Sequence, residues 1–210
     1  VAAKLQNDSA GKEFALLGAT HDYITLASYQ ILAGELDDAE VSLQQATRGA
    51  DAWEANSRNA QKSAVFSADQ VNLSMAMIRS GIFEFQQQID ALRGNAAAAL
   101  VTTENGRGTA QAELLKEKMG LPASDRVSKD LDEQAIIEIA KAHNTTLVIY
   151  SIVHTTSPDS RRYFNPKDRW QHPQYLYTWI VTPQGEISFK QTALKGPLVN
   201  LIQLARSEIT

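Results

Sequence analysis

The sequence predicts an α+β protein, mostly α, in which helical hairpins precede a small three-stranded sheet, mixed or antiparallel, with flanking helices. Residues 1 to about 120 are rich in Ala, Gln, Leu and Glu and contain no proline before Pro122, the composition of helix formers. Residues 145–194 hold three β-rich segments with prolines between or beside them. The stretch 119–130, "MGLPASDRVSKD", has the glycine, proline and serine of a joint. We therefore predict a helical region over 1–120 and a second region over 130–210.

Composition narrows the classes of function. The 210 residues are 43% apolar and 21% charged, and a net charge of −4 argues against nucleic acid or an anionic membrane as partner. No apolar run approaches the ~18 residues of a membrane span, and the first residues lack a signal-peptide pattern. We expect a cytoplasmic protein with no membrane partner. The absence of cysteine excludes disulfides, thiolate metal sites and cysteine nucleophiles within this chain.

The segment 23–46 has the pattern of two helices joined by a turn. Gly34 falls where a glycine ends a helix, and each side carries a predicted apolar stripe: Tyr23, Leu26, Ala27 and Ile31, then Leu36, Ala39, Leu43 and Ala46. This resembles the tetratricopeptide repeat, a helical hairpin of roughly 34 residues. A weaker copy lies 60 residues later, at Phe83, Gly94 and Ala99. We predict two degenerate hairpins, with an ordinary helical bundle as the alternative.

Three segments of the second half predict strands: 145–153, 174–181 and 186–194. The first is apolar on both faces, which is typical of a buried strand. "TPQG" (182–185) has Pro183 and Gly185 where a type I turn with a bulge needs them, so 174–194 is predicted to be an antiparallel hairpin. Two amphipathic helices flank the sheet, 130–144 and 196–209. The first starts near Asp130 and Asp132 and buries Ile136, Ile137, Ile139 and Ala140.

The connection 154–174 is long for a loop, and loops of this length are usually functional or mobile. It gathers a set of basic and aromatic side chains that could bind an anion, a single-stranded nucleic acid or a partner: Arg161, Arg162, Lys167, Arg169 and Trp170. The alternative is a solvated excursion, which the acidic balance of the chain favours.

No motif predicts a catalytic, metal or cofactor site. Three of the four histidines, at 143, 154 and 172, flank the strands and could in principle ligate zinc, but HExxH and cysteine ligands are missing. The GxSxG elbow of a serine nucleophile is also missing. "GRG" (106–108), read as the opening of a helix, lacks the remaining glycines of a phosphate loop.

Three segments together resemble the start of CHAT domains, caspase-like domains that follow tetratricopeptide repeats in cyanobacteria and other bacteria. The matching residues are Glu104, Gly106, Arg107, Glu113, Leu114 and Leu115; Thr146, Leu147, Val148, Tyr150 and Ser151; and Leu176, Tyr177, Trp179, Pro183, Gly185, Ile187 and Phe189. In that family a His–Cys dyad lies downstream of the hairpin, and this chain has no cysteine.

The resemblance therefore implies a non-catalytic interaction and regulatory segment that scaffolds a caspase-like domain. The alternative is the regulatory half of a cysteine endopeptidase of clan CD type, with its dyad beyond residue 210. The partner expected is a protein or the downstream domain. We also expect the sheet either to self-associate or to be shielded by the chain's own helices.

Overall fold

The computed structural model describes residues 2–60, 68–119, 131–154 and 174–194. They form an α+β fold that is mostly α, as predicted, with this order of elements: α1 (Ala2–Ala33), α2 (Leu36–Ala60), α3 (Ala68–Leu92), α4 (Ala96–Met119), α5 (Glu133–Ala142), β1 (Leu147–His154), β2 (Gln174–Val181) and β3 (Ile187–Ala193). Within the described ranges no helix is long and apolar enough to span a membrane. The loop residues Arg161, Arg162, Lys167, Arg169 and Trp170 and the helix predicted at 196–209 lie outside the described residues.

The hairpins α1–α2 and α3–α4 share the same turn, 60 residues apart. Gly34 and Gly94 both have positive φ, +80° and +75°. The amide after each glycine closes a bond to a carbonyl five residues back, Glu35 N to Gln30 O at 2.8 Å and Asn95 N to Asp90 O at 2.9 Å. This is the glycine-ended helix cap known as the Schellman motif, and it confirms both predicted turns. The four helices have 32, 25, 25 and 24 residues, so each hairpin is longer than the predicted repeat of roughly 34 residues.

A side-chain bond across each turn repeats at the same spacing. Ser42 Oγ donates to Gln30 Oε1 at 2.7 Å, and Thr102 Oγ1 donates to Asp90 Oδ2 at 3.0 Å. Ala39 and Ala99, which follow the turns at equivalent places, are fully buried. Small alanines let the two helices of each hairpin approach closely, so the two hairpins share the geometry of their turns as well as the sequence pattern.

The predicted buried stripe of α1 is partly wrong. Ala27 and Ile31 are buried in the core shared by α1, α2 and α3, but Tyr23 and Leu26 are exposed. Ile24 and Ser28 take the buried positions instead. Ser28 tolerates burial because its hydroxyl donates to Thr25 O at 2.7 Å.

Arg79 of α3 and Arg93, the residue directly after α3, set the alignment of the second hairpin on the first. Arg79 binds Asp51 at 3.0 Å and Glu54 at 2.7 Å, and Arg93 binds Asp37 and Glu40 of the same helix α2. The two arginines are 14 residues apart, and so are the two acidic pairs. Sliding α3 along α2 would break both sets of ion pairs together, so they specify the register more than they add stability.

The sheet is antiparallel throughout, in the order β1-β2-β3. β1 pairs with β2 from Leu147 opposite Val181 to His154 opposite Gln174. The β2–β3 turn is the predicted one, since Gly185 N donates to Thr182 O at 2.9 Å and Gly185 has φ +91°.

One face of the sheet, the inner face, packs on the helices. It carries Tyr177, Trp179 and Val181 of β2 and Val153 of β1, which share a buried cluster with residues of α4 and α5. The other face, the outer face, leaves Val148 and Tyr150 exposed, so β1 is not buried on both sides as predicted. Ile139 of α5 is likewise exposed, because α5 meets the sheet through Ile136, Ile137 and Ala140.

Candidate functional site

Three buried polar side chains of α3 face the sheet. Glu84, Gln87 and Gln88 lie at helical spacing on one side of α3, and each is less than a tenth exposed. The positions 60 residues earlier, in α1, hold Ile24, Ala27 and Ser28, a far less polar set that is also buried. Buried polar groups need hydrogen-bond partners, and here the partners come from β1.

The carboxyl end of β1 supplies those partners. Glu84 Oε1 accepts from the backbone N of His154 at 3.0 Å and lies 2.9 Å from its ring Nδ1. Gln88 Nε2 donates to His154 O at 3.3 Å. Ser151 Oγ donates to Gln87 Oε1 at 3.1 Å. We refer to these five residues, Glu84, Gln87, Gln88, Ser151 and His154, as the junction.

The junction fixes the state of the histidine ring. An ionised Glu84 only accepts hydrogen bonds, so opposite it the His154 ring carries its hydrogen on Nδ1. A carboxylate that orients an imidazole is also part of hydrolytic sites. Here, however, the nearby Ser151 hydroxyl donates to Gln87 Oε1 and not to the imidazole.

The histidines do not assemble a metal site in the part of the chain that the structure describes. His21 bonds Leu17 O within α1 at 2.8 Å, His143 caps α5, and His154 belongs to the junction; His172 lies outside the described residues. In the described ranges no group of three or more His, Cys, Asp or Glu side chains is placed to hold a metal ion.

Two further contacts tie the second hairpin to the second half of the chain. Trp179, fully buried on the inner face, donates its ring N–H to Ala96 O at the start of α4, at 2.8 Å. Asn105 of α4 bonds both backbone groups of Leu131, through Nδ2 at 3.0 Å and Oδ1 at 2.7 Å. Both contacts use backbone atoms, so they set the position of the sheet and of the segment before α5.

The motif at 106–108 does not open a helix, which corrects the interpretation as an anion loop. α4 begins at Ala96, and Gly106 lies inside it. A Cβ at Gly106 would come 3.0 Å from Phe83 Cγ, so this glycine lets α3 and α4 approach closely. Its equivalent in the first hairpin is the buried Ala46.

The outer face of the sheet exposes several large apolar side chains. Val148 is 48% exposed, Tyr150 is 52% exposed and Ile180, opposite Val148 on β2, is 39% exposed. The β3 side of the same face is polar, with exposed Ser188, Lys190 and Thr192. Within the outer face, the exposed large apolar side chains therefore lie on β1 and β2 and not on β3.

Sequence reasoning missed the junction. The available signal was three polar residues, at 84, 87 and 88, on a helix that otherwise buries Phe85 and Ile89 beside them. Comparison with the first hairpin would have singled them out, because the residues 60 positions earlier are mostly apolar.

In comparisons with known proteins, no family model, curated protein or solved structure matches this chain. Function is therefore inferred below from contacts, burial and charge.

Proposed function

We propose that this chain is a non-catalytic protein-interaction and regulatory segment, in which helical hairpins hold the opening sheet of a caspase-like domain. The observation that carries the proposal is the bonding of both backbone groups of His154 by Glu84 and Gln88 of α3. Side chains of a helical hairpin thus occupy the edge of a strand, which couples the two regions directly.

The coupling is made at several places. Trp179 bonds the central strand to the first turn of α4, and Asn105 forms hydrogen bonds with both backbone groups of Leu131. Each of these bonds links residues far apart in the sequence, and Trp179 and His154 are buried. Buried polar contacts of this kind favour a single orientation of the packed elements.

The resemblance to CHAT domains supports the same function. Gly106 of the first motif lies at the close approach of α3 and α4, and Trp179 of the third motif is the anchor on α4. The absence of cysteine from the chain supports a scaffolding role over peptidase chemistry in this segment. We propose that the outer face receives a protein partner or the domain that follows, in the cytoplasm.

Hydrogen exchange tests the scaffold. The variant Glu84→Ala should lose amide protection in β1 and β2, because the edge of β1 loses its acceptor, while α1 and α2 keep theirs. Glu104→Ala is the matched control, since its carboxylate pairs with Arg107 on a more exposed side of α4. If β1 and β2 keep full protection in Glu84→Ala and in Asn105→Ala, the hairpins do not hold the sheet and the proposal fails.

A further inference from the structure

The hydrogen bonds of His154 reveal which way the backbone of β1 points. In an antiparallel strand both the N–H and the C=O of one residue point to the same side, and the side alternates along the chain. His154 directs both groups away from β2, toward α3. The N–H and C=O of Ile152, Tyr150 and Val148 must therefore point away from β2 as well, along the same edge.

Among the described residues, the hydrogen bonds from α3 to β1 lie at the carboxyl end of that edge. These bonds reach His154 and the side chain of Ser151, and within the described ranges no strand pairs with this side of β1. The segment 148–152, "VIYSI", is free of the devices that protect sheet edges, since it has no charge, proline or glycine. The opposite edge strand, β3, carries Lys190 and polar neighbours.

From this geometry we infer that the edge of β1 over residues 148–152 binds the same edge of a second copy of the chain, as an antiparallel pair. The inference rests on the proposed function in one respect, namely that the hairpins present the sheet to a protein partner.

Symmetry argues for a second copy as the occupant. With Tyr150 on the two-fold axis, Val148 of one copy faces Ile152 of the other, and every outward N–H and C=O finds its complement. A charged residue would meet itself on such an axis, and the segment has none. The exposed side chains of Val148 and Tyr150 would become covered on the outer face.

The paired segment is short, which sets the expected strength. Interfaces below roughly 1,200 Å² are mostly weak, so the dimer should form only toward the upper end of a range from about 1 μM to about 1 mM. Because the contact is uncharged while each copy carries a net charge of −4, added salt should leave it unchanged or strengthen it slightly.

The first test is sedimentation of the full chain across that range, with residue-resolved hydrogen exchange by NMR. The expected result is a monomer–dimer equilibrium in which the amides of Val148, Tyr150 and Ile152 gain protection with concentration. The alternate amides of Ile149 and Ser151, bonded to β2, are protected at every concentration and serve as internal controls. A monomer at all concentrations overturns the inference, as does protection of the edge amides already in the monomer, which would mean that the chain covers its own edge.

Variants locate the contact. Tyr150→Lys places two ammonium groups opposite each other on the axis and should weaken dimerisation at least about tenfold. Thr192→Lys, on the same face of β3, is the control and should have no effect. If Thr192→Lys dissociates the dimer, or Tyr150→Lys does not, the contact lies elsewhere and the inference is wrong.

A second variant separates edge pairing from loss of folding. Val148→Pro removes an N–H that points away from β2, so the β1–β2 ladder stays intact while the edge is blocked. It should be folded by circular dichroism and monomeric by sedimentation. A folded dimer would contradict the inference. A monomeric wild-type chain whose Glu84→Ala variant still loses sheet protection would refute the dimer and leave the scaffold standing.

Discussion

Glu84 and His154, 70 residues apart in the sequence, meet in the buried junction, where one carboxylate oxygen lies 3.0 Å from the backbone N and 2.9 Å from the ring Nδ1. A single acceptor thus serves two donors of one residue at the end of an edge strand. The carboxylate, 8% exposed, is compensated by these donors, and the donors in turn have no ready access to water. Each partner therefore depends on the other being present.

Removing the carboxylate should be costly. We expect Glu84→Ala to lower the free energy of unfolding by about 2–3 kcal/mol, since it removes the acceptor of buried donors of His154. Urea denaturation followed by circular dichroism measures the change. Glu104→Ala, which breaks a more exposed pair, should cost less than about 0.5 kcal/mol, and equal losses in the two variants would show that the junction is not a stabilising contact.

Gly106 and Gly108, both inside α4, allow a matched test of whether a glycine is needed where α3 and α4 approach closely. Replacing a helix-interior glycine by alanine favours the helix by up to about 1 kcal/mol. Gly108→Ala should show this gain, because a Cβ there has nothing within 4 Å. Gly106→Ala should not, because its Cβ would meet Phe83 Cγ at 3.0 Å and force the ring to shift.

Thermal unfolding of both variants side by side checks the prediction. A Gly106→Ala protein as stabilised as Gly108→Ala would mean that Phe83 moves aside freely. The close approach would then not be set by the glycine.

Features fixed by short stretches of sequence could be predicted. Gly34 and Gly94 end helices because their left-handed φ is accessible without strain, and Pro183 with Gly185 determines the hairpin turn within four residues. The same local chemistry predicts β2 at 174–181, and the strand is Gln174–Val181.

Burial of a particular face depends on which element arrives to cover it, and periodicity does not contain that information. Tyr23 and Leu26 fit an apolar stripe as well as Ile24 does, yet α2 and α3 cover the neighbouring side of α1. The junction was hidden for the same reason. Glu84 is typical of a solvated helix face until His154 is known to lie against it.

Gln30 and Asp90 occupy equivalent positions in the two hairpins, but only Asp90 can carry a negative charge. This difference predicts an effect of charge on stability. Burial is the main cause that raises the pKa of Asp90 above its ordinary value of 3.8, although Thr102 and Gln86 donate to it. A raised pKa means that the folded chain holds the proton more tightly than the unfolded chain. Stability is therefore lost as the pH rises from 3.8 through the folded pKa, and the ionised group is a net cost at neutral pH.

Asp90→Asn should consequently stabilise the protein at pH 7 and have a smaller effect near pH 3, where Asp90 is protonated in both states. Gln30→Glu introduces the same charge in the first hairpin and should destabilise at pH 7. Urea denaturation at the two pH values measures both. An Asp90→Asn variant that is less stable at pH 7 would show that the bond from Thr102 needs the charge.

The burial of Tyr177 predicts a loss of stability at alkaline pH. Burial on the inner face, with a smaller contribution from Tyr175, raises the pKa of Tyr177 to about 12 from the ordinary value of 10.0. Between pH 10 and pH 12 the unfolded chain releases this proton and the folded chain keeps it. The free energy of unfolding should fall across this window by about 1.4 kcal/mol per pH unit from this group alone.

Tyr177→Phe removes the titrating hydroxyl and keeps a ring beside Trp179 and Phe189, where the tyrosine ring lies 5.9 and 5.2 Å away between centroids. Its unfolding free energy should fall less steeply above pH 10 than that of the wild type, and the difference should be absent below pH 9. Absorbance at the tyrosinate band provides a second measurement, in which one tyrosine ionises later than the others and is missing in the variant. Parallel pH profiles for the two proteins would mean that Tyr177 ionises as readily in the folded state as in water, which its burial against the aromatic cluster argues against.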